Sequence, residues 1–526
     1  MLSQIVMTIK GVILLTGAVY LFAALLRKED QQWVKGAPLK MLVGLYVIGM
    51  WGHVVWLPFL CLLLSIPLLA KNRSDAASLY AIAVVSLPVL YYHVTIGTHY
   101  LLPFTKYMFA ALALMIAYFA KPKSGPVLHS HMDIPILLLL GLEIAEVRDP
   151  DIGLMLRETA PVLFGIALPY FLISRSLNTP EQVRRFVLAL ALAGFAMALV
   201  ATVEARTHWL VYKQIEGNLH ISSQVNAYQK MRGGVIRSPA SFDESTSLGN
   251  FLAIAAIAIL ALRSSFASKG KWFLAMAIML VGLVAPNSRG AFLGFGIGIV
   301  LFDLYRGKWG GLFVKLAAGG GLYLILLAAA NFSKYIAETV GKGADTQGST
   351  DYRIVLLQRG IQEINRHPIF GTTLRKALAN LEDVRQGEHI IDLVNGYINY
   401  GLVLGYTGML GLLAMFLIAG STMLAARKKL SANPVMEEMG AFVFSVAGLM
   451  MVVAAFTIFG GMNSTPFYEV LAVGSVLWGL RKTALARTGN DVAGSPVPSL
   501  SSVRSMILAD REAARLRRAH PVPEQA

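Results

Sequence analysis

The sequence predicts an all-α, polytopic membrane protein of about 12–15 transmembrane helices, because its apolar runs recur at lengths that cross about 30 Å of hydrocarbon. Three observations carry this. Of the 526 residues, 56% are hydrophobic and only 14% are charged, whereas soluble domains carry about 25% charged residues. The basic residues collect at the ends of the apolar runs, where positive-inside placement needs them. The strand alternation of an outer-membrane barrel is absent.

The run 5–26 ends at Arg27 and Lys28 without a small-residue cleavage pattern, so it reads as a span and not as a signal peptide. Segment 39–70 is too long for one span, and Trp51-Gly52-His53 marks a hairpin apex. Runs 77–95, 102–120, 155–174 and 182–203 read as further spans, with 132–146 as a short one. In the second half the spans are 244–262, 271–286, 290–305, 312–330, 400–425, 440–459 and 466–480.

Arg263 with Lys269 and Lys271, Arg306 with Lys308, Arg427 to Lys429, and Arg481 with Lys482 mark cytoplasmic turns. The turn at 286–290 and the segments 205–243, 331–399 and 460–465 then face outward. A transmembrane domain over 1–482 thus carries two substantial periplasmic segments, 205–243 and 331–399. The stretch 483–526 is a basic, Ser/Pro/Ala-rich cytoplasmic tail whose composition reads as disordered; its part 504–518 can also form a surface helix.

The net charge of +16 does not signal nucleic acid, because the cations sit at helix ends. With Cys61 alone, neither an intrachain disulfide nor a cysteine metal site is possible. No internal repeat is evident, which gives an inverted-repeat carrier no support.

The unusual residues are two arginines on the outer side. Arg237 stands in GGVIRSPASFDESTS and Arg289 in APNSRGAFLG, each at the mouth of an apolar run. A cation near hydrocarbon persists only with a partner, and the guanidinium fork suits phosphate oxygens. Together they point to a site for a lipid-linked phosphate. Plainer readings stand beside this: Arg289 as an interfacial anchor, and Arg237 as the ion-pair partner of Asp243 or Glu244. In the longer outer segment, DYRIVLLQRGIQEINR (351–366) puts Ile354, Leu357, Ile361 and Ile364 on one face of an amphipathic helix that lies on the membrane or caps a cavity. His367-Pro368 ends it.

Four features together resemble the O-antigen ligase and O-antigen polymerase family of bacterial inner-membrane glycosyltransferases. They are Arg237 before the Ser/Pro/Asp turn running to Ser245, NSRGAFLG at 287–294, HPIFG at 367–371, and IIDLVNGYINYGLVLGYTGMLG at 390–411. The resemblance covers roughly 160–480 in order and topology. It implies transfer, at the periplasmic face, of a glycan from an undecaprenyl-diphosphate carrier to a sugar hydroxyl, with inner-membrane lipids as partners and no metal, cofactor or nucleotide sugar. Many members have a histidine before the asparagine of the last motif, where this chain has Val394 before Asn395.

Such a reaction needs cations for the departing diphosphate, a role for Arg237 and Arg289. It also needs a base for the acceptor hydroxyl. The candidates are His389 and Asp392, which share a face if 389–396 is helical. Asn395, Tyr397 and Arg353 are supporting candidates. The alternatives are a solvated His389, a helix-capping Asp392, and Arg353 and Arg359 as surface or headgroup contacts. Polymerisation of a surface polysaccharide or exopolysaccharide is the leading function. Ligation to a lipid A core or a protein, and a transporter or flippase of lipid-linked or anionic substrates, are the alternatives.

Overall fold

The computed structural model describes residues 2–96, 99–122, 130–147, 152–219, 231–232, 234–385, 391–457, 459 and 465–493. They divide into two units, 1–480 and 481–526; everything that follows lies in the first unless stated.

The first unit is a helical bundle. It begins with α1 (Leu2–Leu25), the short α2 (Lys28–Lys35), and the hairpin α3 (Ala37–Trp51) and α4 (Trp56–Leu69), whose apex is at the expected Trp51-Gly52-His53. Next come α5 (Arg73–Ser86), a β-hairpin of β1 (Tyr91–Ile96) and β2 (His99–Thr105), and α6 (Lys106–Ala120). After α7 (Asp133–Glu146), the helices α8 (Ile152–Val162) and α9 (Leu168–Ser176) join through one π turn. The long α10 (Pro180–Thr207) leads through α11 (Lys213–Asn218) and the two-residue pair β3 (Met231–Arg232) and β4 (Val235–Ile236) to α12 (Ser245–Ala261). Then follow α13 (Lys269–Val284), α14 (Arg289–Arg306) and α15 (Trp309–Ala329). Three further helices, α16 (Lys334–Val340), α17 (Ala344–Arg366) and α18 (Leu374–Asn380), precede α19 (Gly396–Leu430), α20 (Pro434–Val453) and α21 (Thr465–Ala493).

Among the described residues, six helical segments are long and apolar enough to cross a membrane: α1, Arg157–Ser176, α10, α15, α19 and α20. The shorter α4, α6 and α12 are also apolar. The chain is a polytopic, mostly helical membrane protein. α12 is buried along nearly its whole length, as a helix that is apolar on every side from Phe251 onward must be. It lies tight against α14: a Cβ on Gly249 would come 2.9 Å from the Ser288 Cβ.

The basic turns gather at one end of the bundle. Arg184 pairs with Asp30 at 2.8 Å and donates to Ser265 Oγ. Arg27 N–H donates to the Ser265 carbonyl, Arg73 to that of Lys121, and Lys271 to that of Ala24. Arg306 lies 3.6 Å from Glu438. The opposite end holds the segment between α10 and α12, the α13–α14 turn, and α16 to α18.

Three expectations are corrected. The span 77–95 stops at Ser86, because Pro88 ends the helix and the aromatic, β-branched run Tyr91–Ile96 pairs as a strand. On α17, Ile364 and Leu356 are buried, whereas Ile354, Leu357 and Ile361 are 49%, 43% and 37% exposed. The four residues expected on one face therefore split: Ile398 of α19 packs over Gly360 and buries the Leu356–Gly360–Ile364 side, while Ile354 and Leu357 line a cavity, as a capping helix would. Finally, α21 runs past 482 to Ala493, so the start of the expected tail is helical; 504–518 lies outside the described residues.

Candidate active site

A cavity of about 1250 Å³ opens at the end of the bundle opposite the basic turns. The first turns of α12 and α14 supply Thr246, Ser247, Ser288, Arg289 and Gly290 to its wall, and Asn395 enters from the start of α19. Three helices thus begin there, and helix N-termini present orphan N–H groups and a positive dipole end. Arg232, Arg237, Arg289 and Arg353 all line this cavity, together with Asp243, Glu244 and Asp392.

Local structure fixes the first two arginines. The β3–β4 pair sets Arg232 and Arg237 on one short excursion, where Arg232 Nη1 donates to the Asn287 carbonyl at 3.0 Å and Arg237 Nε to the Pro286 carbonyl at 3.1 Å. Both bonds clasp the turn that presents Arg289. Beneath them, the fully buried Glu204 carboxylate at the end of α10 accepts from Ser238 Oγ at 2.5 Å, Ala240 N at 3.0 Å and Val211 N at 2.9 Å. Ala240 and Asn287 hold φ of 47° and 46°, a left-handed region that L residues enter only when the surroundings enforce it. Glu204→Ala is expected to lower stability by about 3 kcal/mol, because three buried donors lose their acceptor. A thermal melt of the purified protein that matches the unmodified chain would exclude this role.

Helix α17 brings the fourth arginine. Its far end is pinned by the HPIFG segment. Tyr406 N–H donates to the Pro368 carbonyl at 2.7 Å, and Thr407 Oγ1 to that of Ile369 at 2.8 Å. Gly405, at φ 68°, kinks α19 where the Pro368 carbonyl would lie 2.5 Å from a Cβ, so only glycine fits. Nearer its start, Tyr352 clamps the segment before α19: its hydroxyl donates to the Asp392 carbonyl at 3.0 Å and accepts the Asp392 N–H at 2.9 Å. Arg353 Nη1 donates to the Phe456 carbonyl at 2.9 Å.

The sequence candidates thus separate. Arg237, Arg289, Arg353, Asp392 and Asn395 share the cavity wall. Residues 391–395 are not helical, so no shared helix face joins Asp392 to residue 389; His389 itself lies outside the described residues. Asp392 does not cap α19. That cap is Asn395, whose side chain accepts from Ile398 N at 3.1 Å. Tyr397 turns away from the cavity and donates to the Met451 carbonyl at 2.8 Å, tying α19 to α20. Arg359 pairs with Asp383 at 2.7 Å at the surface. The sequence reasoning missed Arg232 as a lining residue, Tyr352 as a clamp and Glu204 as a staple; the excess of basic residues in 205–243 was the available signal for Arg232.

Electrostatics make the cavity hungry for anions. Burial, then repulsion by Arg232, pushes the Arg237 guanidinium down to about 10, with Arg289 and Arg353 adding to the repulsion and Glu244 opposing it. Burial likewise lowers Arg353, with Asp392 opposing and Arg232 adding to the fall. Arg237 remains charged at neutral pH, and an anion between these groups relieves their repulsion.

Residues 274–413 match the family model of O-antigen ligase. No curated protein and no solved structure matches the chain. The matched stretch runs from α13 into α19 and carries Arg289, Arg353, Asp392 and Asn395; Arg237 precedes it.

Proposed function

We propose, from the match of residues 274–413 to the O-antigen ligase family model, that the chain moves a glycan from undecaprenyl diphosphate to a sugar hydroxyl at the periplasmic face of a bacterial inner membrane. Within that chemistry we propose polymerisation of the repeat units of a surface polysaccharide or exopolysaccharide. The observation that carries the diphosphate reading is the meeting of four arginines in one cavity, beside the first turns of α12 and α14, at the end of the bundle away from the basic turns.

The chemistry follows from that cavity. The acceptor oxygen attacks the anomeric carbon of the donor, and the bond from that carbon to the diphosphate oxygen breaks. The electron pair leaves with the diphosphate, where Arg237 and Arg289 stabilise it as charge builds. The hydroxyl proton passes to a base in the same cavity. Asp392, held by Tyr352, is the described candidate, and His389 is the other. Arg353 supports Asp392 and the diphosphate together.

The purified chain in nanodiscs, given a diphosphate-linked oligosaccharide, is expected to lengthen the glycan and release undecaprenyl diphosphate. Movement of the lipid across a bilayer without any new glycosidic bond would instead make the protein a flippase. The facing of the site is tested separately with Gly348→Cys at the cavity wall. An impermeant thiol reagent should label it from the periplasm; labelling from the cytoplasm alone would overturn the topology.

A further inference from the structure

The cavity has two chemically different walls, and the reaction above uses only one. Beside the arginines, α12 and the residues leading into it contribute Asp243, Glu244, Thr246, Ser247 and Asn250. The helix is otherwise apolar and buried along nearly its whole length; of its polar approach, Glu244 faces the charge of Arg237 and Asp243 that of Lys106. Thr246 and Asn250 are four apart and Ser247 and Asn250 three apart, which places them together on one side of the helix. Thr246 Oγ1 donates to Glu244 Oε2 at 3.0 Å, holding that carboxylate toward the same wall.

Asn250 points to a ligand. It is only 9% exposed and lines the cavity, yet its Oδ1 has no hydrogen-bond partner among the described residues. A buried amide oxygen left without a donor is costly, and a helix in hydrocarbon gains nothing from carrying one. The missing partner is an O–H or N–H donor that arrives from the cavity. Carboxylate, hydroxyl and amide groups side by side match the mixed donors and acceptors of a sugar ring, and they do not suit a phosphate.

We infer that the cavity face of α12, centred on Asn250 and Thr246, binds the sugar ring attached directly to the lipid diphosphate. The wall begins at Asp243, just past Arg237 on the same excursion, so a ring one bond from the phosphates meets it. This deepens the proposed function and rests on it. The sugar is then oriented by α12 while the arginines hold its leaving group.

The test uses the full chain in nanodiscs with two probes, bare undecaprenyl diphosphate and the lipid-linked oligosaccharide extracted from the producing membranes. Asn250→Ala and Thr246→Val are expected to bind the bare carrier like the unmodified protein. They should bind the glycan-bearing lipid about tenfold more weakly, the usual loss when one hydrogen-bonding partner of a bound hydroxyl is removed. The thermal midpoint of Asn250→Ala should not fall, since the change removes a buried group that lacks a partner. Equal weakening for both probes, no weakening for either, or a lower midpoint would overturn the sugar subsite. If the unmodified chain binds neither probe, the arginine reading itself fails, and this inference with it.

Discussion

Turnover of a lipid-linked oligosaccharide by Arg289→Ala is expected to fall about 100- to 1,000-fold, the usual consequence of removing one preorganised donor from a developing oxyanion. Arg289 is the first residue of α14, so its side chain and the orphan N–H groups of that turn act on the same anion. Arg289→Lys should fail nearly as badly, because lysine keeps the charge and loses the bidentate fork. Arg237→Ala should cost a comparable factor. The double variant should cost less than the product of the two, because both residues serve one leaving group. The loss should appear in kcat, since the charge they meet grows in the transition state. Normal turnover in Arg289→Lys would remove the clamp from the account.

The second large effect concerns the base. Asp392→Asn is expected to lower turnover by about 100- to 10,000-fold if the carboxylate takes the acceptor proton. Asparagine is isosteric and leaves the backbone bonds to Tyr352 in place, so the change reads the carboxylate alone. Asp392 lines the cavity that holds the arginines, and a base must share the space of the leaving group. His389→Ala is the companion variant, because imidazole titrates near neutrality. A loss confined to His389→Ala would assign the proton to histidine. Full activity in both variants at normal expression would leave the reaction without its proposed base.

Much of this architecture is legible in the sequence. Hydrocarbon imposes lengths on helices and places cations at their ends, so the spans of the second half and the α3–α4 apex follow from apolar runs and basic turns. Local competition hid the remainder. Pro88 and the aromatic run after it converted half of an expected span into a hairpin strand. On α17 the apolar residues are numerous enough to offer two faces, and only Ile398 against Gly360 decides which one packs. Periodicity cannot make that choice.

The candidate site was legible in part for the same reason. Arg237 and Arg289 stand out because arginine is out of place at an outer helix mouth. Asn395 and Tyr397 are neighbours in sequence but part in space: the first caps α19 and lines the cavity, and the second bonds to Met451 of α20. Glu204 lies far from the loop it holds and sits in the C-terminal turn of an apolar helix, where no spacing announces it. Asn250 is hidden similarly, one amide in a run of alanine, isoleucine and leucine.

The most direct test of the central claim is to see the diphosphate. A cryo-EM structure of the protein in nanodiscs saturated with undecaprenyl diphosphate is predicted to show two adjacent phosphate densities in the cavity between Arg237 and Arg289. Both guanidinium groups should lie within hydrogen-bonding distance of the phosphate oxygens. Phosphate density elsewhere on the bundle, or an empty arginine cavity at saturating lipid, would contradict it.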